Sequence, residues 1–296
     1  MALLSLLIAA ADGLQHPADA ALASWLTSAG VSSPKAAVVT TPRSVAGRGV
    51  FAVAPIAEDE LIATIPSELI LCDSSAAEVF AGLDVSTERE LWGPHPWLAR
   101  LAAYSVAANS TSSRRWSEWV AAWRRDDPVT RLFSSGVGRG AVPLERGAEL
   151  SARLDDAAAA LAAMSPIGIP TLTLRATLDW RYECFREHCE ALLAPLELDL
   201  SRTDIGVLYA TVSSRVAAIP GTDESYGIIP FHDFVNHGYD GQDNAYMVAS
   251  EQGDIRILAL RDIDAGEEVL FCYLDHDDDQ NDEDIRAWAL VNWGVP

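Results

Sequence analysis

The sequence predicts an α+β fold in which two strand-rich halves flank a long helical block. Three observations lead there: short β-branched runs before residue 73, alanine-rich segments with aromatic and leucine residues at three- and four-residue spacings through the middle, and a return of β-branched runs after Gly227. Residues 17–30, PADAALASWLTSAG, put Leu22, Trp25 and Leu26 on one helical face and stop at Gly30. From Ala36 to Leu71 the runs AAVVT, GVFAV, ELIATI and LILC are punctuated by Pro42, Gly47, Gly49, Pro55 and Pro66, which reads as hairpins. Residues 74–218 carry LARLAAYSVAA, WSEWVAAW and LDDAAAALAAM and form the helical block. Its tryptophans, among them Trp116, Trp119, Trp123 and Trp180, read as core rather than as a ligand box. YGIIPF, NAYMVAS, DIRILAL and EVLFCY restore the β pattern, and IRAWALVNWG closes in a helical piece. The segments FAVAPIAEDELIATIP and LALRDIDAGEEVLFCY echo each other and read as two similar hairpins. Helices interrupting one β fold imply an insertion rather than two beads on a string. The expected divisions are an N-terminal helix at 1–35, a first β half at 36–73, the insertion at 74–204 and a second half at 205–296.

Composition narrows the classes. A chain of 296 residues, 49% hydrophobic, can bury a real core. Its 21 Lys and Arg against 43 Asp and Glu leave a net charge of -22, so a phosphate backbone meets repulsion and nucleic acid is not an expected partner, whereas a basic protein segment is attracted. Cys72, Cys184, Cys189 and Cys272 show no disulfide framework, which fits a reducing, intracellular compartment. Cys184, His188 and Cys189 share a helical segment at spacings that do not converge as a zinc knuckle does. The apolar run 2–11 is too short to span a bilayer and lacks a basic flank, the first Lys or Arg being Lys35; it reads as the start of a helix, and no membrane span is expected.

The segment IIPFHDFVNHG places Asp233, Asn236 and His237 just beyond an apolar strand. By itself it is equally a loop of mutually capping side chains and a site. A metal reading finds only His232 as a further nearby ligand, and a serine-hydrolase reading lacks the Gly-x-Ser-x-Gly elbow. Three further segments stand in order around it: AGRGVFA at 46–52, ATVSSR at 210–215 and AGEEVLFCY at 265–273.

Together these four segments resemble the SET-domain protein methyltransferases, in the branch typified by the Rubisco large-subunit and actin-histidine methyltransferases, over residues 19–296. The resemblance implies a knotted, β-rich SET fold interrupted by a helical insertion, S-adenosyl-L-methionine as cofactor, and N-methylation of a protein substrate. It implies a cofactor set of Ala46, Gly47, Arg48 and Gly49, whose backbone approaches the methionine part, with Arg215, Asn236, His237 and, toward the adenine, Trp293. It implies a substrate set of Asp233, Tyr246 and Tyr273, with Tyr273 catalytic; His232 is either a substrate contact or a solvent-facing cap, and Arg215 could instead make a surface ion pair. No metal is implied, since no CxC…C pattern follows the catalytic strand.

Lysine is the expected target. Histidine-methylating relatives carry Asn two residues after the matched Arg and Trp just before the matched Asp, and these places hold Ala217 and His232. Ala46 replaces the family's usual acid and Leu274 a common Gly, which keeps open a catalytically silent peptide-binding module; a metallohydrolase built on Asp233, His237 and the acidic run is a third reading. That run, DHDDDQNDED, is either a solvated loop or a steering surface for basic substrates; as an EF-hand it would have Gln280 and Arg286 where Gly and Glu are needed. The family's C-terminal helical substrate-binding domain would follow the matched core, so recognition is expected there or elsewhere on the surface.

Overall fold

A computed structural model of the chain describes residues 17–41, 43–44, 47–75, 96–110, 115–123, 174–194, 202–221, 226–238 and 241–273. The helices are α1 (Pro17–Ser28), α2 (Pro96–Ser110), α3 (Ser117–Ala121), α4 (Leu174–Leu193) and α5 (Arg202–Ser213). The strands are β1 (Ala36–Thr40), β2 (Arg48–Ala52), β3 (Leu61–Ile65), β4 (Val216–Ala218), β5 (Tyr226–Ile228), β6 (Asn236–His237), β7 (Ala245–Ala249), β8 (Ile255–Ala259) and β9 (Glu268–Phe271). They fall into two compact units: Met1–Val79, Tyr104–Arg124 and Arg215–Tyr273 in the first, Phe80–Ala103, Arg125–Ser214 and Leu274–Pro296 in the second.

In the first unit, α1 buries the face the sequence marks, Leu22, Trp25 and Leu26. It ends where Gly30 takes φ +93°, a conformation open to glycine, with the Val31 N–H returning to the Leu26 carbonyl. One sheet runs in the order β1-β2-β9-β6; β1–β2 and β2–β9 are antiparallel, while β6 lies parallel to β9 with Asn236 beside Leu270 and His237 beside Phe271. A second sheet runs β3-β8-β7, and β4 pairs with β5. β2 is buried along its whole length, as a strand inside a covered sheet must be. In the second unit α4 and α5 pack together through an edge-on contact of Phe185 with Tyr209, ring centroids 4.9 Å apart.

Four local expectations need correction. FAVAPIAEDELIATIP and LALRDIDAGEEVLFCY are not two hairpins: they pair with each other, Phe51 with Glu268, Ile56 with Ile263 and Leu61 with Leu258. Within the run 36–71 only β1 and β2 form a hairpin, because β3 finds its partner in β8. LILC is not a strand; Leu69 ends a single 3-10 turn and Leu71 makes an isolated bridge to Ile228. The helical block also stops short of residue 218, since Val216–Ala218 is strand β4. The pieces LDDAAAALAAM, IRAWALVNWG and 2–11 lie outside the described residues. Among the described residues no helix is long and apolar enough to cross a membrane, and no three His, Cys, Asp or Glu side chains group as a metal site.

Candidate functional site

The segment after β5 turns on a residue that pays no heed to local preference. Phe231, a bulky side chain buried in the core, takes φ +72° and ψ -50°, a tight-turn conformation that costs on the order of 1–3 kcal/mol unless its surroundings impose it. It opens a 3-10 turn over His232–Phe234 that turns three successive side chains inward. Asp233 Oδ2 accepts hydrogen bonds from the Trp119 indole at 3.1 Å and the Trp123 indole at 3.0 Å. Arg215 donates to the Asp233 main-chain carbonyl at 2.8 Å, and its guanidinium stands 3.5 Å from Oδ2. Asp233 Oδ1 and Arg215 Nε are buried without a hydrogen-bond partner among the described residues. Burial raises the Asp233 carboxyl to about 6, against the opposing pull of Arg215, the two indoles and Arg48. His232 is also buried, which corrects the solvent-facing alternative; desolvation holds its imidazole down at about 4, and its Nδ1 has no hydrogen-bond partner among the described residues. The Arg48 and Arg215 guanidinium groups lie over the Phe234 ring at 4.6 and 5.2 Å.

A second cluster forms where β2, β6 and β9 adjoin. The Asn236 amide nitrogen donates to the Arg48 carbonyl at 2.8 Å, Glu268 Oε1 at 2.7 Å and Ser44 Oγ at 3.0 Å. A carbonyl and a carboxylate are acceptors only, so the NH2 end must face them, and the amide oxygen is left for another donor. Gly49 is required by this cluster: a Cβ there would sit 2.1 Å from Glu268 Oε1 and 2.9 Å from Asn236 Nδ2. Gly47, at φ +78°, has nothing within 4 Å of an added Cβ among the described residues. Arg48 turns its side chain inward, pairing with Asp19 at 2.8 Å and donating to the Ala122 carbonyl at 2.7 Å.

The parallel β6–β9 pair brings the third group together. The Tyr273 N–H donates to His237 Nδ1 at 3.1 Å, which leaves Nε2 to carry the ring proton, and the Tyr273 hydroxyl donates to the Val235 carbonyl. The two rings tilt against each other with centroids 5.1 Å apart.

Of the residues singled out from sequence, Arg48, Gly49, Asn236 and His237 thus share one sheet, with Gly47 in its β1–β2 turn and Tyr273 two residues past β9, while His232 and Asp233 share the buried turn that Arg215 packs against. The surface ion pair weighed for Arg215 is overturned, since the Arg215 side chain is 9% exposed and that of Asp233 is 0% exposed. Tyr246 lies on β7 in the other sheet, with no hydrogen bond or ring contact to the cluster among the described residues. Ala46 and Trp293 lie outside the described residues. Asp19, Ser44, Glu268 and the indoles of Trp119 and Trp123 carry site contacts that sequence reasoning missed. The tryptophans are core, as expected, yet their four-residue spacing, which puts both on one helical face, was the available signal for a shared partner.

A family model described as SET domain matches residues 47–274. No curated protein matches the chain. Among solved structures, it is similar to the SET domain of LSMT bound to lysine and AdoHcy, with 16% identity and a TM-score of 0.64 over 94% of this chain and 57% of that one. It is also similar to Rubisco LSMT bound to sinefungin and monomethyllysine, with 14% identity and a TM-score of 0.63 over 95% of this chain and 56% of that one. The chain therefore spans a little over half the length of the solved chains it matches.

Proposed function

This chain belongs to the SET-domain family, and from that premise we propose that it is an S-adenosylmethionine-dependent protein methyltransferase whose target is a lysine side chain. The observation that carries the reading is the parallel contact of β6 with β9, which joins Asn236 and His237 to the strand that leads to Tyr273 and seats the Tyr273 hydroxyl on the Val235 carbonyl. Solved SET domains bound to lysine, methyllysine, AdoMet and AdoHcy support the cofactor and the target. Within this reading residues 36–73 and 205–296 are the two SET halves and 74–204 an insertion between them.

The residues present fit such a cofactor. The β1–β2 turn is open at Gly47, where main chain can approach a ligand, and Arg215 Nε is a buried donor awaiting an acceptor such as a carboxylate. Asn236 offers its amide oxygen, so Gly47, Arg48, Gly49, Arg215, Asn236 and His237 would hold the donor, with Ala46 and Trp293 completing the set. When bound, S-adenosylmethionine supplies a sulfonium methyl for in-line displacement by an amine.

The chain's own part is alignment and electrostatics. Tyr273 is held twice, through its main-chain N–H and its hydroxyl, so its phenolic oxygen is fixed before substrate arrives; pre-alignment of reacting groups is worth roughly 7–11 kcal/mol. That oxygen keeps lone pairs to orient an amine and stabilise developing positive charge. A lysine ammonium, unperturbed near about 10.4, must also lose a proton; the buried Arg215 and Arg48 guanidinium groups oppose a third cation, and Asp233 Oδ1 and His232 Nδ1 are acceptors with unmet capacity.

The test is incubation with labelled cofactor and a protein lysate, followed by mass-spectrometric mapping of the label. Lysine labelling is expected, with turnover reduced about 10²–10³-fold in Tyr273→Phe while cofactor affinity is kept. Label on histidine would move the target, and equal turnover by Tyr273→Phe would remove that residue from the chemistry.

A further inference from the structure

The side chains that secure the β1–β2 turn do not all come from the SET match. Asp19, on α1 and outside residues 47–274, uses its two carboxylate oxygens on the two strands that enter and leave the turn. Oδ2 accepts the Thr40 main-chain N–H at 2.9 Å, and Oδ1 meets the Arg48 guanidinium at 2.8 Å. Thr40 and Arg48 are directly paired across β1 and β2, so one carboxylate grips both sides of the turn at its base. β1 is the edge of its sheet, and the Thr40 N–H is an edge donor that Asp19 covers. Both partners of the ion pair are 7% exposed, so the grip is little screened by solvent. The turn above it is closed by Thr41 N–H to the Gly47 carbonyl, Ser44 N–H to the Thr41 carbonyl and Gly47 N–H to the Ser44 carbonyl. Ser44 and the Arg48 carbonyl are in turn the acceptors of the Asn236 amide.

We infer that Asp19 is a positioning residue for the cofactor turn: α1 clamps Thr40 to Arg48 and thereby sets the placement of Gly47, the Arg48 carbonyl and Asn236. The clamp rests on the proposed cofactor site for its purpose and on the contacts of Asp19 for its existence, and two readouts separate the two. Amide hydrogen exchange of the ligand-free protein reads the clamp, and calorimetry with S-adenosylhomocysteine reads the site. The variants are Asp19→Asn, which keeps an acceptor for Thr40 but removes the charge, and the double Asp19→Asn/Arg48→Met, which removes both charges together and folds if the single variant leaves Arg48 too costly to bury. Leu22→Ala loosens α1 without touching the carboxylate and controls for lost stability.

In the folded clamp variants, exchange at Thr41, Ser44 and Gly47 is expected to quicken about tenfold. The dissociation constant of S-adenosylhomocysteine is expected to rise about tenfold, or about 1.4 kcal/mol. Leu22→Ala is expected to change neither beyond about twofold, a free energy well under 1 kcal/mol. Unchanged exchange in a folded clamp variant, or equal loosening by Leu22→Ala, overturns the clamp. Quickened exchange with unchanged affinity overturns its positioning role. Wild-type protein that binds no S-adenosylhomocysteine while the clamp variants still loosen the turn removes the functional reading and leaves the clamp standing.

Discussion

Arg48 meets Asp19 Oδ1 at 2.8 Å while Oδ2 accepts the Thr40 N–H, whereas Arg215 stands 3.5 Å from Asp233 Oδ2 and Oδ1 has no hydrogen-bond partner among the described residues. The two pairs use the same residue types and are equally withdrawn from water. Their difference lies in what each carboxylate has to offset the loss of hydration. Asp19 has a guanidinium and a main-chain N–H on opposite oxygens. Asp233 has two indoles and a more distant guanidinium on one oxygen and, among the described residues, no hydrogen-bond partner on the other, and burial then outweighs its partners and raises its pKa. A carboxylate held on both oxygens, one by an ion pair and one by a main-chain N–H, braces the fold. An under-engaged one, beside the strained Phe231, is how a site keeps capacity for a ligand.

Three substitutions test that contrast, beginning with the largest effect. Asp19→Ala removes the carboxylate partner of the buried Arg48 and is expected to cost about 3–5 kcal/mol in urea unfolding at neutral pH. A loss below about 1 kcal/mol would place Asp19–Arg48 with ordinary surface pairs and end the contrast.

Asp233→Asn is expected to act through pH. A carboxyl whose folded pKa, about 6, exceeds its unfolded value, 3.8, favours the folded state while protonated. That contribution is complete below 3.8 and lost as pH rises through about 6. Unfolding curves between about pH 4 and 7 should therefore show Asp233→Asn gaining on the wild type as pH rises, by on the order of 3 kcal/mol in total. The opposite slope would mean that the partners of Asp233 outweigh its burial.

Arg261→Ala sets the lower bound. Its contact with Glu267 is 2.7 Å, as close as either buried pair, but the Arg261 side chain is 46% exposed. The expected loss is under about 1 kcal/mol, reduced further by salt. A larger loss would show that distance rather than burial ranks these pairs.

Much of the fold was legible because its signals are local. Short β-branched runs marked β1, β2, β3, β7, β8 and β9 to within a residue or two, and the stripe of Leu22, Trp25 and Leu26 marked α1. Pairing was not legible. The two echoing segments were read as hairpins because adjacency is the only partner a single sequence proposes, yet each lends its strands to the other in two separate sheets. The same limit applied to the site. Asn236, His237 and Tyr273 stood out through short motifs in a fixed order. Glu268 and Ser44 did not, because their contact with Asn236 depends on β2, β9 and β6 lying side by side.

By itself, then, the sequence determined which segments become strands and helices, that they assemble as a SET fold, and where the conspicuous polar residues lie. Only the tertiary structure decided which of those residues are satisfied and which are not. Periodicity and motif are properties of neighbouring residues, whereas the state of a buried charge depends on every group within a few ångströms. For Asp233 those groups are the indoles of α3 and its end and the guanidinium of Arg215, and for Arg48 they include a carboxylate from the N-terminal helix.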